Sequence, residues 1–211
     1  MPELDDPMVV IALTVGATLL VIVVVLLLRR GGRRRLETLA PAFELGTTRI
    51  GGPFGYSIEG LYQGYPCRYS IEQRSQYSPG GATLRVRAIS HQQWSAGVKD
   101  VGSQLMVRVG LLKDYQIGDS ELDEQLRFSS TDEAAVMTVF AAEATRKAIR
   151  SLSQSENFNS ITVRPDRADI KWNPRDPNLD ENPEMVRSRL ATATALLAAC
   201  GYPPQIGAGV S

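Results

Sequence analysis

Thr83-Leu84-Arg85-Val86-Arg87-Ala88-Ile89 alternates apolar and charged side chains with a period of two. Successive side chains of a strand point to opposite faces, so Leu84, Val86 and Ala88 share one face and Arg85 and Arg87 the other. Leu105, Val107 and Val109 alternate in the same way around Met106 and Arg108, and Ile170 and Trp172 flank Lys171. These segments predict strands of a sheet with one covered and one open face. If the apolar sets share a face, Arg85, Arg87, Arg108 and Lys171 gather on the other as a basic patch. Two readings of that patch stand. It is a solvated surface balanced by acids such as Glu59 and Glu72, or a docking surface for an acidic partner or headgroup.

Outward from this strand, Tyr56–Leu61 and Cys67–Gln73 predict a hairpin joined through Tyr62-Gln63-Gly64-Tyr65-Pro66. Thr47–Gly55 is Gly-rich and reads as a loop, and Ser90–Ser103 has no clear period and reads the same way. Leu126–Phe128, Ile161–Val163 and Asp169–Trp172 are further strands. Ser130 and Glu133 match a capping box ahead of a helix that runs to Leu152, broken near Ala141. Asn182 reads as an N-cap with Pro183 at the first helical position, and Val186, Leu190, Ala193, Leu197 and Cys200 form one apolar stripe. Gly201 ends that helix, and 202–211 reads as a loose tail. Strands followed by helices on one face give an α+β domain over 47–201 with a largely antiparallel sheet.

The N-terminal part has a different character. Met8–Leu28 is 21 residues without a charge. As a helix it would be ~32 Å long, against a hydrocarbon core of ~30 Å. Acidic residues precede it (Glu3, Asp5, Asp6), and Arg29, Arg30, Arg33, Arg34 and Arg35 follow it. A cleaved signal would need the opposite flanks. The expectation is a single-pass inner-membrane anchor over 8–28, with residues 1–7 outside and the C-terminal domain cytoplasmic. Residues 29–46 become a basic flank and a juxtamembrane helix ending near Gly46, with the bilayer as a partner. Ala12 and Gly16 make one small-residue step, compatible with a homo-oligomer.

The whole chain has 23 basic and 23 acidic residues, so it lacks the strong basic field that nucleic acid requires. Cys67 and Cys200 are the only cysteines and His91 the only histidine, too few for a zinc site. No phosphate-binding glycine loop or nucleophile elbow is present, and no cofactor is expected. Cys67 with His91 as base is one candidate chemistry, but Cys67 is in phase with Tyr69 and Ile71, as a core thiol would be. Asp119, Glu121 and Asp123 alternate as calcium ligands might, yet Glu124 and Ser130 stand where a calcium loop needs Gly and Glu. Five tyrosines from Tyr56 to Tyr77 are either strand residues or a contact surface.

Leu36-x-x-Leu39-Ala40, then Gly60-Leu61-Tyr62-Gln63-Gly64, then Gly118-Asp119-Ser120-Glu121-Leu122-Asp123 follow in order. This set resembles a group of uncharacterised bacterial single-pass membrane-anchored proteins with a cytoplasmic domain of unknown function. The resemblance implies a bacterial origin and transfers no catalytic residue. The expected function is a membrane-tethered interaction domain with a protein partner. The rivals are a membrane-associated hydrolase using Cys67 or the acids of Asp119–Asp123, and a lipid-surface sensor using the arginine run.

Overall fold

Ile58, Tyr69, Leu84, Ile170, Ile161, Ala96 and Phe128 are paired in register, each with the next, across seven neighbouring strands. All seven are at most 1% exposed. In this computed structural model, which describes residues 14–20, 23, 37–52, 55–73, 79–109 and 113–205, that row is the floor of the core. The strands are β1 (Leu45–Gly52), β2 (Gly55–Tyr62), β3 (Tyr65–Glu72), β4 (Gly81–Val86), β5 (Trp94–Val98), β6 (Leu126–Ser130), β7 (Phe158–Arg164) and β8 (Arg167–Trp172). They form one eight-stranded sheet in the order β1-β2-β3-β4-β8-β7-β5-β6, with every neighbouring pair antiparallel. A slip of one residue in β4 or β8 would expose Leu84 or Ile170 and bury Arg85 or Lys171. Each large aliphatic side chain so exposed forfeits about 1.5–3 kcal/mol.

The helices are α1 (Val101–Arg108), α2 (Ser120–Gln125), α3 (Glu133–Ala141), α4 (Glu143–Ser153), α5 (Pro177–Asp180) and α6 (Pro183–Ala199). α6 starts where its sequence sets it: Asn182 Oδ1 accepts from Glu184 N at 2.9 Å, and Pro183 supplies the first turn. Its buried side includes Val186, Leu190, Ala193, Leu196 and Leu197. α6 packs on α4 and on β2 and β4. α3 and α4 are separate helices because Ala142 is extended, with φ −77° and ψ 130°. Phe140 of α3 meets Trp94 and Phe128 of the sheet edge-to-face, at ring separations of 5.0 and 4.9 Å. A buried ion pair ties α5 and α6 to the sheet. Arg189 Nη1 donates to Asp180 Oδ1 at 2.8 Å and to the Tyr69 hydroxyl at 2.6 Å, and its guanidinium lies 4.6 Å from the Trp172 ring.

The α+β class with an antiparallel sheet is the class read from the strand and helix patterns. The membrane anchor is corrected: among the described residues no helix is long and apolar enough to cross a membrane. This removes the support for a single-pass, inner-membrane placement. Of Met8–Leu28, residues 14–20 and 23 are described, as exposed helix. An apolar run permits a spanning helix without compelling one. The rest of Met8–Leu28 lies outside the described residues, as do Arg29, Arg30, Arg33, Arg34 and Arg35.

Local expectations also change. The predicted juxtamembrane helix is present over residues 37–42, closing in a 3-10 turn at Ala40–Ala42 short of Gly46, and the predicted loop 47–55 is largely β1. Leu39, Ala42 and Phe43 are core residues, so the domain begins before residue 47. The predicted loop 90–103 contains β5, where Ser95 is small and Gly97 has no side chain, so no charged residue marks the face opposite Trp94 and Ala96. The predicted strand through Leu105 and Val109 is helix α1 with those two residues exposed; spacing of four suits a helix as well as spacing of two suits a strand. The cap of α3 is Asp132, accepting from Ala134 N at 2.9 Å, while Ser130 donates to Gln93 O. Tyr202, assigned to a loose tail, is 5% exposed. Its hydroxyl accepts from Trp94 Nε1 and donates to Gln92 Oε1.

Candidate functional site

One residue along from the apolar row lies its counterpart on the other face. Glu59, Arg68, Arg85, Asp169, Thr162, Ser95 and Ser129 are paired in the same strand order. Every member is polar. Period two puts them where the core-packing helices are not. Asp169 sits near the middle of the row and is 7% exposed. Its Oδ1 accepts from Arg85 Nε at 2.6 Å; its Oδ2 accepts from Arg164 Nη1 at 2.6 Å and Arg167 Nε at 3.3 Å. The arginines are still half-open, at 45%, 45% and 31% side-chain exposure. One carboxylate therefore fixes three guanidiniums, of which Arg167 also donates to Asp166 Oδ2 at 2.8 Å.

Around this cluster the sheet face is concave, with a cavity of about 410 Å³ lined by Arg68, Ser70, Glu72, Thr83, Arg85, Thr162, Arg164, Asp169 and Lys171. Four lining residues are cationic and two are anionic. Arg68 is 3.3 Å from Glu59, a half-exposed pair worth under ~1 kcal/mol. Among the described residues Lys171 has no ion-pair partner, and the hydroxyls of Ser70, Thr83 and Thr162 make no hydrogen bond. The depression is rich in donors and positive on a chain whose formal net charge is zero.

Of the expected patch, Arg85 and Lys171 come together here. Arg87 follows the end of β4, is exposed and does not line the cavity. Arg108 is corrected: it belongs to α1 rather than a strand, so the period-two placement does not apply to it. Arg68, Arg164, Arg167 and Asp169 were missed. Arg68 is out of phase with Cys67, Tyr69 and Ile71, and Asp169 is in phase with Lys171, so the same periodicity reaches them once those strands are laid beside β4. The convergence on Asp169 depends on β8 pairing with β4 across more than eighty residues, which no local pattern shows.

The other candidates have structural roles. Cys67 is 3% exposed, its Sγ donates to Tyr65 O at 3.4 Å, and burial, aided by the charge of Glu44, pushes its thiol up to about 12. A thiol so protonated is no nucleophile near neutrality. His91 is exposed, and no hydrogen bond between it and Cys67 is present. Cys200 is likewise pushed up to about 12 by burial, with a hydrogen bond from Thr145 opposing the shift. Both cysteines are free thiols. Asp119 caps α2 through Leu122 N at 3.2 Å and pairs with Arg150 at 2.6 Å. Glu121 lies 2.9 Å from Arg150 Nε, and Asp123 accepts from Ile117 N and Gly118 N at 2.8 and 3.0 Å. Among the described residues no group of His, Cys, Asp and Glu is arranged to hold a metal ion. Tyr56, Tyr62, Tyr65 and Tyr69 are buried strand residues, and Tyr77 lies outside the described residues.

Comparison with protein-family models, with curated proteins and with solved structures finds no match.

Proposed function

We propose that this domain is a non-catalytic binding module that docks an acidic segment of a partner protein on the open face of its sheet. The observation that carries the reading is the positive, donor-lined depression in which Asp169 holds Arg85, Arg164 and Arg167 and Lys171 is left unpaired among the described residues. A face that was only solvated would need its charges balanced. Here the cations outnumber the carboxylates, and the one buried carboxylate is already saturated by arginines. Complementary charge of this kind favours encounter and register of an anionic partner, and its effect weakens as salt rises.

The test uses the full chain and a fluorescent oligoglutamate peptide as probe. Arg85→Glu combined with Lys171→Glu should weaken binding at least about tenfold, or ~1.4 kcal/mol. Arg87→Glu combined with Arg108→Glu makes the same change in net charge outside the cavity lining and should leave binding within about twofold. Equal losses in both pairs would mean that only overall charge matters, and the docking face would be refuted.

A further inference from the structure

Resting on that reading, we infer that the depression over Asp169 receives a phosphoryl group on the partner segment. The lining supplies Arg68, Arg85, Arg164 and Lys171 against Glu72 and Asp169, an excess of two positive charges. Adding Arg167 with its partner Asp166, and Glu59, which reaches Arg68, leaves an excess of one. A phosphorylated side chain carries about −1.5 to −2 on one group with three acceptor oxygens, whereas one carboxylate carries −1 on two. The donors fit the former. Arg85 spends only its Nε on Asp169, and Arg164 only its Nη1, so the other guanidinium N–H groups are free of that carboxylate. The hydroxyls of Ser70 and Thr83, directly paired on β3 and β4, and the amine of Lys171, paired with Thr83 across β4 and β8, lie on the same face.

A protein segment suits this face better than a lipid headgroup. No lining residue is apolar, so nothing there would enter a bilayer. The polar row crosses seven strands at ~4.8 Å spacing, or ~29 Å, about the span of an extended segment of nine residues. Asp169 acts as a positioning residue: its work is to aim the arginines rather than to touch the ligand.

The experiment compares three degenerate peptide pools on the full chain. One has a central phosphoserine, one two adjacent glutamates in its place, and one an unmodified serine. The phosphoserine pool should bind at least about tenfold tighter than the glutamate pool, because one tetrahedral group engages donors from several strands together. Inorganic phosphate should compete with it. Lys171→Gln, which removes no partner of any described residue, should lose at least about fivefold, and Lys171→Arg should keep most of the affinity. Asp169→Asn removes a negative charge, so it should leave or raise affinity for the glutamate pool while shrinking the preference for phosphoserine. A merely structural role would lower both. Equal binding of the phosphoserine and glutamate pools would keep the acidic-segment reading and overturn the phosphoryl one. Binding by neither pool, or binding indifferent to Lys171→Gln and to Arg85→Gln, would overturn both. Preference for vesicles containing phosphatidylinositol phosphates over every peptide pool would overturn the protein partner.

Discussion

Asp180→Asn is expected to destabilise this fold more than any substitution on its surface. Asp180 and Arg189 are each 1% exposed in their side chains. Asp180 Oδ1 accepts from Arg189 Nη1 at 2.8 Å, and its Oδ2 accepts from Asp176 N at 3.0 Å. Arg189 Nη1 also donates to Tyr69 Oη, while its Nε and Nη2 have no hydrogen-bond partner among the described residues. The asparagine keeps the shape and the acceptor but removes the counter-charge, leaving a guanidinium in the core with the Trp172 ring and a phenol. Breaking one side of such a pair costs about 3–5 kcal/mol. At about 2–4 °C per kcal/mol for a chain of this size, the melting midpoint should fall by roughly 6–20 °C. Arg189→Met in the same background removes the stranded cation together with its unpaired donors. The double variant should therefore recover most of the loss, with a coupling energy of about 2–3 kcal/mol. Urea unfolding followed by tryptophan fluorescence reads all three variants. A loss below about 1 kcal/mol in Asp180→Asn, or simple additivity in the double variant, would refute the buried pair as the element joining α5, α6 and the sheet.

The two thiols set an alkaline limit. Their folded values, near 12, exceed the unfolded value of about 8.5, so their contribution to stability is complete below about pH 8.5 and is lost as pH rises toward 12. The urea midpoint should fall over that window, and Cys67→Ala should flatten the slope; an unchanged slope would contradict a buried, protonated thiol. Tyr202→Phe strands Trp94 Nε1 and Gln92 Oε1, whose bonds to the hydroxyl are 3.1 and 3.0 Å. The expected cost is about 1–3 kcal/mol in the same assay, where a loose C-terminal tail would show none.

The elements legible in the sequence are those whose structure is dictated locally. Asn182-Pro183 caps a helix wherever it occurs, and the hairpin at Gln63-Gly64 follows from two residues with positive φ, 50° and 78°. Leu84 and Val86 reveal β4 because one side of the strand is greasy and the other charged. β5 stayed hidden because Ser95 and Gly97 are small rather than charged. α1 misled because Leu105 and Val109, four apart, suit a helix as well as a strand, and burial, which would arbitrate, is a property of the whole fold.

The candidate site shows where local reading stops. Period two separates the two faces of each strand, and that alone sends Arg85 and Lys171 away from Leu84 and Ile170. It says nothing of which strands are neighbours. Asp169, the first residue of a predicted strand, gains its partners only with β8 laid between β4 and β7, where it faces Arg85 on one side and Arg164 on the other. Isolated on a solvated strand, each of these pairs would be worth under ~1 kcal/mol and would hold no fixed geometry. Three guanidiniums on one buried carboxylate restrain one another, so the order that makes the face a plausible receptor arises from the sheet topology and not from any one strand. The same dependence makes Asp169→Asn, rather than the loss of any single arginine, the change that separates an arranged anion site from a surface that merely carries charge.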